Sequence, residues 1–497
     1  MKKINRIHKI CLFLLMVGTA TSCDEGFEEV NKNVDLVTES NIDYVLPYVQ
    51  LSMLDQTYYT IVDYVGSFVF QVNRRRDYER LIRPGGEHGS HFEWMYEMPL
   101  KGVADLMEST KDDPELVNYL SMTRIIRAYI MHQLTDVYGA VPYFEANKGY
   151  TERIFTPKYD PQEVIYMDMF KELEEAILAF DNSKAIPSSD IVYGGDLDKW
   201  KKFGYSFMLR LGLRIMDVDP VNGKKWVDKA IAGGLITSND DNFVVYYLPN
   251  SDDSDESNPT ANGPCKVFIK YDTYYLTEPF VGFLRDNNDP RTSVFCELRG
   301  NGDTTPENQL GYPPLGYISV PDKGIYSKSN TTTVARYDAP YIHLSYAQTQ
   351  FQLAELVVRG IISGDDQAYY EAGVRAAMEQ LAIFGPDAII SSGQIDTYLA
   401  ENPYNPTTTE EALEMINTQY WVETHWNWYE TFANMRRSNY PELYSKIDPS
   451  IEGNDGAELP GRLTYPSDEL SINPQVSASN EIQGPDVCST KLWWDVD

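Results

Sequence analysis

Along most of this chain, apolar residues recur every three or four positions, and that period predicts helices. Met122, Ile126, Ile130 and Leu134 lie four apart and make one apolar stripe. Ile165, Met169, Leu173 and Ile177 make another, after Asp160-Pro161-Gln162-Glu163. There Asp160 is expected to cap the helix, Pro161 to set the first helical φ and Glu163 to reach back to the cap. Trp200 precedes a third stripe of Phe203, Phe207, Leu211 and Ile215, and Ala230, Gly233 and Gly234 predict a shorter helix closed by a glycine cap. Ala354, Val358 and Ile362, the turn Ser363–Asp366, then Tyr370, Val374 and Met378 predict a helix hairpin with small residues at the crossing. Ile416, Tyr420, Trp428 and Phe432 continue helically, and the pattern is also helical from Ile42.

Two stretches break the period. Asn73 to His91 is charged and Gly-rich and reads as a surface loop. Asp240 to Tyr341 clusters Pro, Gly, Asn and Asp, with short β-like pieces, Lys266–Ile269 and Tyr317–Val320, that are expected to pair. An insert of this length, about 240–341, is more often functional than not. Pro441 onward reads as Pro/Gly/Ser-rich coil wrapping the body. The predicted fold class is α: a tetratricopeptide-like helical repeat body of about four helix hairpins, with a loop-rich subdomain containing short β-hairpins. Only the hairpin spacing supports the repeat, because its Trp/Leu-Gly signature is absent.

The first residues carry a different pattern. Lys2, Lys3, Arg6 and Lys9 precede the apolar run Ile10–Val17, then small residues Gly18 to Ser22, then Cys23. This is the form of a secretory signal, and its core is too short to span a bilayer. Small residues before a cysteine look like a bacterial lipobox, with Ala20 where Leu is usual. The expectation is a signal peptide at 1–22, lipid on Cys23, a lipidated acidic tether at 23–40 and one domain over 41–497. An ordinary signal cut near Cys23 without lipid is the alternative.

Charge narrows the partners. The 497 residues carry a formal charge of −32, and removal of the four signal cations leaves −36. Such a surface repels phosphate backbones and anionic lipid heads, which excludes nucleic acid as a partner and leaves membrane attachment to the lipid. Of five cysteines, Cys11 leaves with the signal and Cys23 is the lipid candidate. Cys265, Cys296 and Cys488 remain, an odd number that leaves room for one disulfide, with Cys265–Cys296 the first candidate pair and the pairing left open, and no disulfide framework.

Candidate chemistry is sparse. The early charged loop holds Arg75, Tyr78, Trp94 and Tyr96, a mix of rings and hydrogen-bonding groups that suits sugar recognition, with a core-packed Trp94 as the alternative. Tyr274, Tyr275, Tyr317 and Tyr326 in the insert have the same status, beside Tyr271, Tyr312 and Tyr337. His88 and His91 lie three apart but lack further ligands, so no metal is expected there. Calcium is conceivable at Ser251–Asn258 through its four acids, yet the spaced order of a calcium loop is missing and a solvated acidic loop is expected. His425, among Trp421, Trp426 and Trp428, reads as packed core. Glycosidase chemistry needs two carboxylates at a set separation, and 74 acids make any such pair uninformative. No Gly-x-Ser-x-Gly, P-loop, dinucleotide fingerprint or His-Glu-x-x-His is present.

Ordered blocks then carry a resemblance. They run from Gly26–Asn31 through His132–Gly139, Val141–Tyr143, Asp160–Ala176, Gly195–Arg214, Asp286–Arg291 and Ala354–Gly360. Thr418–Leu443 follows, holding Trp421, Trp428, Glu430, Arg436, Arg437 and Tyr440-Pro441, and Arg462–Asn473 and Leu492–Asp495 complete the order. The chain resembles the SusD/RagB family of outer-membrane nutrient-binding lipoproteins. The resemblance implies four tetratricopeptide-like helix pairs, a place on the outer face of a Gram-negative outer membrane, and partnership with a SusC-type TonB-dependent transporter. It implies non-covalent capture of oligo- or polysaccharide, or of peptide in some members, without enzymatic activity or cofactor, and ligand contact by aromatics of the early loop and the insert. A secreted glycan hydrolase and a purely structural helical-repeat lipoprotein are the rival readings.

Overall fold

The computed structural model describes residues 41–74, 89–248, 260–271, 273–313, 323–443 and 459–496. The expected signal and tether with Cys23, and also Arg75, Tyr78, His88, Ser251–Asn258 and Tyr317, lie outside them.

In chain order the helices are α1 (Ile42–Ser52), α2 (Ser90–Glu97), α3 (Pro99–Thr110), α4 (Val117–Tyr138), α5 (Gln162–Ala179), α6 (Leu197–Arg214) and α7 (Pro220–Gly233). Short α8 (Lys266–Lys270), α9 (Glu278–Asp286) and α10 (Thr292–Phe295) belong to the insert. The body resumes with α11 (Tyr346–Val358), α12 (Asp366–Glu379), α13 (Ser392–Glu401), α14 (Thr409–Glu423) and α15 (Trp428–Ser438), and α16 (Ser467–Ile472) and α17 (Val476–Gln483) follow. Successive helices pack on one another from α3 to α7, and again as α11 on α12 and α14 on α15; α11 also packs on α6 and α15 on α4. This is the expected tetratricopeptide-like body.

Three of the predicted stripes lie in its core. Met122, Ile126, Ile130 and Leu134 of α4, Ile165, Met169 and Leu173 of α5, and Phe203, Phe207 and Leu211 of α6 have no exposed surface. Small residues allow the close crossings. A Cβ on Gly212 of α6 would sit 3.2 Å from the Gly223 carbonyl of α7, and one on Gly373 of α12 would sit 2.6 Å from the Phe351 ring of α11. Gly234 closes α7 at φ 99°, as its sequence predicts.

Several expectations are corrected. Asp160 does not cap α5; its Oδ2 accepts from the backbone N–H groups of Tyr143 and Phe144 at 3.0 and 2.9 Å, while Pro161 precedes the helix without a side-chain cap. The chain reversal before α5 offers these two amides to the carboxylate, and it takes them. Lys266–Ile269 is not a strand but lies in α8. The run from Ile416 to Phe432 is two helices, broken at Thr424 to Asn427 where Trp426 takes φ 79°. The chain after Pro441 is not all coil, since it includes α16 and α17. Cys265, Cys296 and Cys488 are all free thiols, the first two buried, so the candidate Cys265–Cys296 bond is absent. Cys265 instead immediately precedes α8, with its thiol against the Val334 carbonyl.

Among the described residues, six short strands form three antiparallel pairs, all between distant segments. β1 (Val72–Arg74) pairs with β3 (Tyr274–Leu276), β2 (Phe243–Val245) with β6 (Tyr341–Leu344), and β4 (Cys296–Leu298) with β5 (Ser327–Ser329). The β2–β6 pair joins the two ends of the insert, so about a hundred irregular residues leave and re-enter the body at one place.

A buried ionic network holds the helical body together. Glu430, in the first turn of α15, accepts from Arg214 of α6 through both oxygens at 2.7 and 2.8 Å, and from the Tyr420 hydroxyl of α14 at 2.8 Å. Arg210 lies 3.7 Å away. Asp136 of α4 accepts from Tyr166 at 2.5 Å and from Trp494 at 2.9 Å, with Arg214 at 3.7 Å. Arg436 donates to the backbone carbonyls of Asp136 and Gly461 at 2.6 Å each. Burial alone would push the Glu430 carboxyl upward, but Arg210 and Arg214 outweigh it and hold the group well below the ordinary carboxylate range.

Removing one member of such a network strands the others. Glu430→Ala, which leaves two buried guanidinium groups opposite a void, is expected to lower unfolding stability by about 3–5 kcal/mol in urea titrations. Asp228→Ala, which breaks the exposed Lys224–Asp228 pair of α7, is expected to leave the midpoint close to wild type.

Candidate functional site

Residues 274 and 275 are consecutive on β3, and side chains alternate across a strand. This sends two neighbouring tyrosines to opposite faces of the β1–β3 ribbon and seeds two aromatic clusters. On one face Tyr274 meets Tyr58 and Tyr271, with ring centroids 6.3 and 6.2 Å away, and Tyr58 meets Tyr59 at 4.3 Å and Tyr271 at 5.7 Å. On the other face Tyr275 stacks on Tyr312 at 4.9 Å, and Tyr326 stands edge-on to both at 6.1 and 5.2 Å.

Arg299 ties the two faces together. Its guanidinium donates to the backbone carbonyls of Tyr271 and Tyr274 and lies 4.7 Å above the Tyr275 ring. Lys266 lies 5.0 Å from the Tyr58 ring. Behind the first cluster, Phe268 links Tyr274 to Trp426, and Trp426 stacks on Trp428 at 5.0 Å. Trp428 donates to Gln71 at 2.7 Å, one residue before β1. The rings therefore rest on the helical body through a continuous aromatic column.

Exposure divides the rings by role. Tyr58, Tyr274, Tyr275 and Tyr312 are buried and act as support, whereas Tyr271 is 39% exposed and Tyr59 and Tyr326 are half-buried. Burial, followed by hydroxyl bonds to Tyr59 and Tyr271, pushes the Tyr58 hydroxyl well above the ordinary range. It stays a neutral phenol, able both to donate and to accept. Apolar ring faces beside neutral hydroxyls form a surface suited to a ligand that has apolar faces and hydroxyl edges of its own.

Of the residues singled out from sequence, Tyr274, Tyr275 and Tyr326 come together here, with Tyr271 and Tyr312. Trp94 does not. It lies on α2, is 7% exposed and donates its indole N–H to the Ser52 carbonyl at 2.8 Å, so the core reading of this ring is the observed one. The segment after Gly89 turns helical instead of looping, and its amphipathic face carries Trp94 and His91 inward. Tyr96 is half-buried and donates to the Pro142 carbonyl at 2.6 Å, packing on Phe92 and away from the ribbon. Arg75, Tyr78 and Tyr317 lie outside the described residues. Tyr58, Tyr59 and Arg299 were not singled out. The Tyr58-Tyr59 pair just ahead of an apolar run was the available signal, but no local pattern brings it beside residues two hundred positions away.

The histidines considered for chemistry are packed groups. His91 stacks on Tyr429 at 4.0 Å, and His425 on Phe280 at 4.4 Å with Gln71 at 2.8 Å. Among the described residues no cluster of three or more His, Cys, Asp or Glu is placed to hold a metal ion.

With the geometry in place, the comparisons with known proteins are decisive for family. Residues 31–466 match the sequence model of the SusD-like family described as starch-binding and associating with the outer membrane. The chain belongs to this SusD-like family. A solved chitin-binding protein is similar at 29% identity and TM-score 0.81, over 92% of this chain and all of that one. A SusD-like protein from Bacteroidetes is similar at 26% identity and TM-score 0.81 over the same shares. A chitin-binding SusD homologue from Flavobacterium johnsoniae shares the fold at 20% identity and TM-score 0.75, over 92% of this chain and 99% of that one. No curated protein sequence matches at significance. In the SusD-like fold seen here, no helix among the described residues is long and apolar enough to cross a membrane.

A pH dependence follows from the packed imidazoles. Burial lowers His91, His343 and His425 to about 3, with Arg210 and His132 adding to the effect on His343. Their rings stay neutral in the folded chain but take up protons near pH 6.5 when unfolded. The unfolded state thus binds more protons between about pH 6.5 and 3, so stability falls as pH drops through that window. Each ring contributes up to about 1.4 kcal/mol per pH unit. Urea midpoints are expected to fall steadily from pH 7 to pH 4, beginning above the range where carboxylates titrate.

Proposed function

We propose that this chain is a surface-exposed outer-membrane lipoprotein, anchored through Cys23, that binds a neutral glycan without cleaving it and delivers it to a SusC-type TonB-dependent transporter. The observation that carries the reading is the paired tyrosine clusters on the β1–β3 ribbon, with Tyr271, Tyr59 and Tyr326 reaching the surface over buried, interlocked rings. A sugar ring presents an apolar C–H face to stack on such rings and hydroxyls for their phenol groups. Preformed support limits the ordering cost of binding. The formal charge of −32 disfavours anionic polysaccharides. The family's description as starch-binding at the outer membrane supports the glycan class, and the chitin-binding relative at 29% identity makes N-acetylglucosamine oligomers the first ligands to try. Capture needs no bond broken, and the site as described uses rings and phenols rather than a pair of opposed carboxylates.

Calorimetric titration of the mature protein with chito- and malto-oligosaccharides is expected to give saturable heat with no new reducing ends. Tyr271→Ala combined with Tyr326→Ala is expected to weaken binding at least tenfold, about 1.4 kcal/mol, without shifting the unfolding midpoint. Unchanged affinity in that pair would overturn the assignment of this surface, and heat from peptides but not from sugars would overturn the glycan reading.

The anchor has its own test. Expressed in a Gram-negative host with its leader, the wild-type chain is expected in the outer-membrane fraction. Cys23→Ala is expected to move it to the soluble fraction. Pull-down from outer membranes of the native organism is expected to recover a TonB-dependent transporter with the anchored form.

A further inference from the structure

A second concave surface lies in the helical body, between α9, α12, α13 and α14, and encloses about 380 Å³. Tyr370, Tyr398 and Gln419 form its floor, Phe283 and Met415 its walls, and the loop after α13 its rim. It shares no lining residue with the tyrosine clusters of the ribbon.

The floor is held in place from beneath. Gln419 accepts from Arg291 at 2.7 Å and donates to the Tyr398 hydroxyl at 2.9 Å, and Arg291 is itself clamped by Asp289 through two of its nitrogens. Tyr370 packs on Tyr404 at 4.6 Å, and Tyr404 donates to Asp366. The rim is fastened too: the Asn402 amide donates to the carbonyls of Asn287 and Tyr398 at 3.1 and 3.0 Å. Within this rigid frame, the side chains of Asn405, Glu414 and Thr418 line the cavity and make no hydrogen bond to the described residues.

The chemistry of the lining selects a ligand class. Glu411 and Glu414 place two carboxylates on the lining, and no lysine or arginine lines it among the described residues, so the cavity repels an anion while its carboxylates accept from hydroxyls. Amides of asparagine and glutamine both donate and accept, as sugar hydroxyls do. Phe283, Met415, Pro403 and Pro406 add apolar surface of the extent that a sugar's C–H face covers. We propose that this cavity is a second carbohydrate subsite on the same chain, taking a short neutral sugar on the helical body apart from the ribbon. The proposal rests on the glycan reading of the function. Two separated subsites would let one chain hold a long polymer at two points, with the second contact strengthened by the first.

Calorimetry and saturation-transfer NMR of the mature protein with chitotriose and maltotriose test it. Two variant sets are needed: Asn405→Ala with Glu414→Ala and Thr418→Val at the cavity, and Tyr271→Ala with Tyr326→Ala at the ribbon. The cavity set changes side chains without hydrogen bonds and is expected to keep the wild-type unfolding midpoint. The expected result is two sugars per wild-type chain and one in each variant set. Binding lost in the cavity set but untouched in the ribbon set would also support the subsite, while removing the ribbon assignment. A single sugar per wild-type chain, abolished by the ribbon set alone, would overturn the subsite and leave the proposed function standing. Absence of sugar binding at every concentration would overturn both, and so would trilysine heat that the cavity set abolishes in a protein deaf to sugars.

Discussion

One buried carboxylate sets the geometry on which the remaining architecture depends. Glu430 is fully enclosed, and a lone charge there would be untenable. It persists because Arg214 approaches it with a forked pair of hydrogen bonds, Arg210 adds a second cation and Tyr420 a hydroxyl. The two cations come from α6 and the hydroxyl from α14, so the charge on α15 can be satisfied only when α6, α14 and α15 meet in one arrangement. Apolar stripes alone would allow helices to slide and rotate against each other; a forked ion pair does not. Asp136, Trp494 and Arg436 extend the constraint to α4 and to the end of the chain. A second forked pair, Arg437 with Glu355 at 2.5 and 2.7 Å, fixes α15 against α11.

From this anchor the order reaches the surface. α15 carries Trp428, whose indole holds Gln71, and the next residues form β1. Trp421 of α14 donates to the Val69 carbonyl at 2.8 Å, fastening the same segment from the other side. β1 then recruits β3 from the insert, and β3 deals its two tyrosines to opposite faces. The strained turn at Trp426 places an indole against Phe268, beneath Tyr274. A rigid platform is thus assembled from segments that enter the chain at residues 58, 72, 268, 274, 299, 312 and 326. The tyrosine surface is irregular, but its foundation is a buried and hydrogen-bonded part of the helical body.

This arrangement also explains why the block richest in family character is not the candidate site. Trp421, Trp428, Glu430, Arg436 and Arg437 are all buried and all bond to other parts of the body. They specify the scaffold. Tyr271 and Tyr326, two of the three residues that would meet a ligand, lie on the insert, where backbone amides and carbonyls are met by pairings between distant strands and local pattern is weak. The same logic separates Trp94 from Tyr271. Both are aromatic and both lie near charged stretches, yet Trp94 follows a helical period that turns it inward, while Tyr271 sits just past the end of α8 and remains at the surface.

The chain's own residues were enough to determine the helical body, most of its stripes, its glycine-closed turn after α7 and the family. These follow from periodicities of three and four and from ordered motifs, which are local properties of a linear sequence. Tertiary structure alone decided that Asp160 takes loop amides instead of capping α5, that Cys265 and Cys296 stay apart, that Lys266–Ile269 is helical and that Tyr58 and Arg299 join the tyrosines of β3. Each of these depends on groups far away in the chain competing for one donor, one acceptor or one patch of apolar surface. Which competitor wins is a matter of distance in space, and residue order carries no direct record of it.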